Sequence, residues 1–272
     1  MATTRPFTDA HAIARIEVGM ALSRSLTPQE IGQFLAFAEE ELLPRGEYSS
    51  VQRQEGSFPM AVLTADVEED GSTSDDMFAG ENVVGFRSFE YRGWRHFAGG
   101  IERRFNLIRP FLESCHLSVK SVGLEVEDRF FSDEREGDLA LEEVFNLDGP
   151  YMVPALAAVR PVWDSNLQWF TDDGDFTFME VLRLDCAPVK IEPSEAESVE
   201  PMGAKDESTD RMDEWRLLTK IMHRQHFFSR DSQDLCGKVR EALDTLHSRN
   251  KRLLLQTLSS EMIHQIGLKE GE

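Results

Sequence analysis

Cysteine, long apolar runs and basic residues are all scarce in this chain, and each shortage excludes something. Three cysteines, Cys115, Cys186 and Cys236, are spread over 272 residues. Scattered thiols in odd number do not make a disulfide framework, and they fit a reducing, cytoplasmic setting. No apolar stretch approaches the roughly 18 residues of a membrane span. Residues 1–9 lack a basic region followed by an apolar one, so no secretory signal is expected. Lys and Arg number 29 against 50 Asp and Glu, giving a net charge of −21. So acidic a body repels phosphate backbones, which disfavours general DNA or RNA binding.

Motifs that carry chemistry are missing as well. The chain has no Cys pair at CxxC spacing and no HExxH, so no metal site is expected. It has no GxSxG, no GxGxxG and no GxxxxGK[ST], the patterns of an exposed nucleophile and of phosphate-cradling loops. "HRQH" holds His223 and His226, with His247 and His264 downstream; all are read as structural or surface groups. "DDGD" at 172–175 lacks the later ligands of a calcium loop and reads as a hairpin turn. No catalytic residue, cofactor site or metal ligand is therefore assigned, and the chain is expected not to be an enzyme. A hydrolase with an unrecognised site would need His223 or His226 beside a carboxylate in a concave pocket.

The charge that is present is uneven. Residues 66–81 carry seven acids and no base, or −7, and residues 188–214 carry nine acids against three bases, or −6. Both read as solvated loops, with competition for a basic partner surface as the sharper alternative.

Periodicity supplies an element order. Ile16, Val18, Met20 and Leu22 alternate as in a half-buried strand. "LTPQE" then offers Thr27 as N-cap, Pro28 at the first helical position and Glu30 to close a capping box. Ile31, Phe34, Leu35, Ala38 and Leu42 follow at helical spacing, and Pro44 and Gly46 stop the helix. Strands are expected at 59–67 and 82–90 with an acidic loop, 68–81, between them. A helix follows at 92–114 with Trp94, Phe97, Ile101, Phe105, Ile108 and Leu112 on one face. A long strand, 117–131, changes phase near Ser121 as a bulge would cause.

This order predicts an α+β fold, with a ferredoxin-like β-α-β-β-α-β N-terminal half over 1–135. The second half, 136–272, reads as a short helix at 138–146, an antiparallel hairpin over 155–186 and a strand at 214–228. A long helix, 232–256, and a short terminal helix follow. Pro161 places the first hairpin strand at an edge or bulge, and 188–212 reads as an acidic flexible insertion.

Two aromatic groups stand out. In "FEYRGWRHF" (89–97) Tyr91, Trp94 and Phe97 sit where strand becomes helix. Trp94 and Phe97 are in phase with the core stripe, so the stretch reads as a packing joint. On the hairpin, Trp163, Trp169 and Phe170 are candidate partner-binding residues, because exposed strand aromatics make interaction surfaces.

The Y-x-x-W-x-x-F opening of the helix, the strand "VGLEVEDRF" and the terminal "LHSRNKRLLLQTLSSEM" together resemble a sporadically distributed bacterial family of uncharacterised, numbered hypothetical proteins. The resemblance spans most of the chain and supplies no catalytic residues. It implies scattered occurrence of the kind seen in phage-defence or toxin–antitoxin operons. The expected function is thus a non-enzymatic cytoplasmic recognition protein, a sensor or adaptor in antiviral defence. Its expected partner is a protein, the product of a neighbouring gene, and self-association is left open. The alternative is a chaperone-like or antitoxin-like protein that masks a basic partner.

Overall fold

A computed structural model describes residues 4–8, 11–56, 59–67, 73–132, 141–153, 155–156, 162–171, 175–184, 215–226 and 235–269. The insertion expected at 188–212 lies outside the described residues. In chain order the elements begin with β1 (Thr4–Pro6), β2 (Ile13–Leu22), α1 (Pro28–Phe37), β3 (Ser50–Gln54), β4 (Met60–Val67), β5 (Thr73–Ala79) and β6 (Val83–Ser88). They continue with α2 (Trp94–Ser114), β7 (Val119–Ser132), α3 (Leu141–Val144), β8 (Val162–Phe170), β9 (Phe176–Leu184), β10 (Trp215–His226), α4 (Leu235–Thr257) and α5 (Ser260–Gln265).

The local chemistry explains the helix starts. Thr27 caps α1 through the Glu30 N–H, and Glu30 reaches back to the Thr27 N–H, completing the capping box with Pro28 at N1. Arg24 hydrogen-bonds Glu30 and, with the Thr27 N–H, holds that carboxyl down at about 2. The helix then widens in a π turn (38–42) and tightens in a 3₁₀ turn (43–45). It stops at Gly46, whose φ of 72° suits a residue without Cβ. At the other junction Gly93, with φ 101°, swings the chain into α2.

The strands form one antiparallel sheet of ten, in the order β3-β4-β5-β6-β2-β7-β10-β9-β8, with β1 also paired to β7. This overturns the ferredoxin-like expectation. That fold has one hairpin between its two helices, whereas here the chain between α1 and α2 makes a four-stranded meander, β3 to β6. Residues 73–79, expected to lie in a loop, are the strand β5, and 50–54 add the unforeseen β3. The sheet also takes in the strands of the second half. They extend the same sheet, because β10 pairs with β7 over twelve residues and then with β9. The architecture is mostly β. The bulge expected near Ser121 is present: Ala21 pairs with Ser121 but Leu22 with Val119, so Lys120 is the extra residue.

The helices contribute their apolar stripes to one face of the sheet. Ile31 and Phe34 of α1, Phe97, Ile101, Phe105 and Ile108 of α2, and Val239, Leu243 and Leu246 of α4 share a cluster with Ile16, Val18, Met20, Leu63, Phe86, Val122 and Leu124. A second cluster gathers Phe130, Trp163, Met179, Val181 and Ile221 with Leu141, Val144, Leu253, Leu254 and Met262. α4 bridges the two. Among the described residues no helix is long and apolar enough to cross a membrane.

Candidate recognition surface

The face turned away from these helices has a different chemistry. Strand alternation puts Arg15, Glu17 and Gly19 of β2 opposite in parity to its buried Ile16, Val18 and Met20. The register then fixes their neighbours: Arg87 and Glu125 flank Glu17, Glu127 flanks Arg15, Asp76 flanks Arg87 and Lys220 flanks Glu127. The result is a ladder of charge across five strands. Arg87 Nε donates to Glu17 at 2.9 Å and its Nη1 to Asp76 at 3.2 Å. Arg15 donates to Glu125 and lies 3.3 Å from Glu127 as a charge contact, outside hydrogen-bond alignment. Lys220 reaches Glu125 at 2.8 Å, and Arg129 reaches Glu127 at 2.8 Å. Four carboxylates thus meet four cations, with Glu180 across from Lys220 as a further acid, so the ladder is largely self-neutralised in a strongly acidic protein.

Packing deepens it. The Arg87 guanidinium lies 5.3 Å from the Phe78 ring and 5.9 Å from the Phe89 ring, a cation–π sandwich. Phe78 itself stands over Gly85, where any Cβ would collide with its ring. Asp76 is 3% exposed, and its Oδ1 has no partner. Burial pushes its carboxyl up to about 6, against the pull of Arg87.

Toward the far edge the Glu17–Glu125 row changes character, whereas the Arg15–Glu127–Lys220 row continues to Glu180 of β9. Glu125 is followed across the sheet by Met222 of β10, Phe178 of β9 and Gln168 of β8. The next row runs through Gly85, Gly19 and Gly123 to Arg224, Phe176 and Phe170. Met222, Phe176 and Phe178 are half-buried, and Phe170 is 72% exposed, 5.1 Å from the Phe176 ring. An apolar patch therefore adjoins the ladder on the open face.

The structure separates the three hairpin aromatics. Trp163 is 6% exposed and belongs to the second core cluster. Trp169 shares its side of β8, is partly buried and stacks on Tyr151 at 5.4 Å. Phe170 alone of the three is exposed, on the other side. Among the described residues β8 is the last strand of the sheet, in line with the edge position expected there; Pro161 itself lies outside the described residues. Residues 223 and 226 lie in β10, as a strand reading requires. The stretch 89–97 is a joint: Phe97 is core, Tyr91 and Trp94 pack against it, and His11 meets Tyr91 edge-on at 5.3 Å. Trp94 also stacks on His247 at 4.1 Å and donates to Asp244 at 2.7 Å. Burial, then the nearby Lys251, lowers the His247 pKa to about 4, so the stacked imidazole is neutral at pH 7.

The acidic run 66–81 is partly consumed by the fold. Asp75 pairs with Arg104 of α2 and Asp76 with Arg87, so neither is free to compete for a basic partner. A shallow depression of about 560 Å³ runs along α4, lined by Arg240, Asp244, Ser248 and Arg252 among others. Its charged groups are partly spent on each other, Arg240 with Asp244 at 3.1 Å. Among the described residues no group of three His, Cys, Asp or Glu is placed to hold a metal.

The covered face has its own polar seam. Asp128 is 2% exposed and faces Thr219, which is fully buried, directly across β7 and β10. Asp128 Oδ2 and Thr219 Oγ1 have no hydrogen-bond partner, and the buried Asn250 Oδ1 of α4 has none. Burial, with Glu127 next to it, pushes the Asp128 carboxyl up to about 7. Neither this seam nor the ladder was marked by a sequence motif. The signal for the ladder was the charged residue at every second place in "RIE" and "LEVE", which register alone turns into pairs. No protein-family model matches the chain, and no curated protein matches it in sequence.

Proposed function

We propose that the chain is a non-enzymatic cytoplasmic recognition protein, a sensor or adaptor, that docks a protein partner on the apolar end of its open sheet face. The observation supporting this is Phe170, exposed beside the half-buried Phe176, Phe178 and Met222 on adjacent strands. Contiguous apolar surface of this kind marks interaction sites, and aromatic and Met side chains supply the best-packed contacts. The rigid, self-neutralised ladder next to it gives a rim of fixed geometry, and the net charge of −21 favours a partner with a basic border.

The test is retention of a partner by the tagged chain from phage-infected and uninfected cells, identified by mass spectrometry. Phe178→Gln and Phe170→Ser, with the fold checked by circular dichroism, are expected to reduce retention of that partner at least about tenfold. Retention indifferent to both variants, yet abolished by deleting 188–212 and by moderate salt, would pass the reading to the antitoxin-like alternative.

A further inference from the structure

The sheet has two edges, and they are guarded very differently. β3 is five residues long and carries Arg53, which is paired with Glu55 at 2.7 Å. Short length and charge are ordinary ways of keeping an edge from pairing with another chain. β8 has neither. Its nine residues, "VWDSNLQWF", hold a single charge, Asp164, and its register with β9 runs unbroken over all nine. Among the described residues nothing pairs with its outer side.

The order of residues along β8 says what fits there. It is roughly symmetric in residue type about Asn166: Trp163 answers Trp169, Asp164 answers Gln168 as polar for polar, and apolar residues stand at the two ends, with Ser165 and Leu167 as the one unlike pair. A strand that is its own near-mirror suits an isologous, two-fold antiparallel contact, in which residue i meets j and j meets i. The charges agree. Each Asp164 would face a Gln168, not the other Asp164, and the two carboxylates would lie four residues apart along the strand. That is roughly 14 Å, beyond the Debye length of about 8 Å. Asn166 is held in place by donating to Asp164 at 2.8 Å.

We propose that β8 pairs antiparallel with β8 of a second copy of this chain, about a two-fold axis at Asn166, joining two ten-stranded sheets into one. The helix-covered faces and the open faces then each continue across the seam, and the two apolar patches flank it. This goes beyond the partner reading and does not depend on it, because docking uses side chains on the open face, Phe170 among them, whereas pairing uses the backbone along the outer edge of β8.

Sedimentation equilibrium of the full chain tests it. The wild type is expected to form a dimer, twice the 31.0 kDa chain, at micromolar concentration. Gln168 is exposed, so Gln168→Asp leaves the monomer intact but sets like charges across the seam. It is expected to weaken self-association roughly tenfold. The double variant Asp164→Lys with Gln168→Asp restores opposite charges and is expected to recover the dimer. Asn166→Cys is expected to cross-link to itself under mild oxidation. A wild-type monomer throughout, or a dimer indifferent to Gln168→Asp, would overturn the proposal.

Discussion

The two faces of the sheet are built by the same strands, yet they solve different problems. On the covered face β2 presents Ile16, Val18 and Met20 to three helices, and all three are buried. On the open face, one residue out of step, it presents Arg15 and Glu17 to a ladder of charge. Apolar burial is non-directional, so the covered face supplies stability that salt changes little. Ion pairs are directional, so the open face supplies register and shape more than energy. The informative residues are those that break the rule on each side. Asp128 and Thr219 are polar groups in the core, and Phe170, Phe176, Phe178 and Met222 are apolar groups on the open face. The first pair makes folding sensitive to pH, and the second set is the surface proposed for a partner.

Three variants sharpen the contrast, from the largest effect to the smallest. Phe105 is fully buried between α2 and the sheet, and Phe105→Ala is expected to cost about 3–5 kcal/mol of stability in urea titration, equally at low and high salt. Asp128 acts through pH. Its folded pKa of about 7 lies above the ordinary 3.8, so between those values the folded chain binds more protons than the unfolded one. Stability contributed by the protonated carboxyl is present at pH 4 and is lost as pH rises through 7. Asp128→Asn removes that slope and is expected to gain roughly 2–4 kcal/mol over wild type at pH 8 and little at pH 4. A Tm that declines across this window equally in both proteins would contradict the seam. On the open face, Arg87→Met leaves Asp76 and Glu17 without their shared cation and is expected to cost about 2 kcal/mol, scaled down because Arg87 is part-exposed. Lowering the pH to 5 should return some of that loss, since Asp76 then takes up a proton.

The same contrast explains what could be read in advance. The covered face is written as periodicity, so β2, the α1 capping box, the α2 stripe, the 155–186 hairpin and the β10 strand were all legible. The bulge near Ser121 was legible because it shifts that period. β5 was not. Its "TSDDMFA" looks like an acidic loop because the cations that neutralise Asp75 and Asp76, Arg104 and Arg87, lie 29 and 11 residues away. β3, "SVQRQ", is a polar edge strand with no alternation to see. Missing those two strands turned a four-stranded meander into one hairpin, and with it a single large sheet into a ferredoxin-like half. Of the hairpin aromatics, exposure was legible only as a possibility. Whether Trp163 or Phe170 faces solvent depends on which side of β8 the helices cover, and that is decided by contacts distant in sequence.

Hydroxyl-radical footprinting of the free protein tests the division between the faces most directly. Met222 and Phe178 lie on the open face away from the β8 edge, whereas Met20, Met77 and Met179 are buried on the covered side. The expected result is modification of Met222 and Phe178 well ahead of those three methionines, whether the chain is monomeric or paired. Protection of Met222 and Phe178 equal to that of Met20 would contradict an open, partner-ready face.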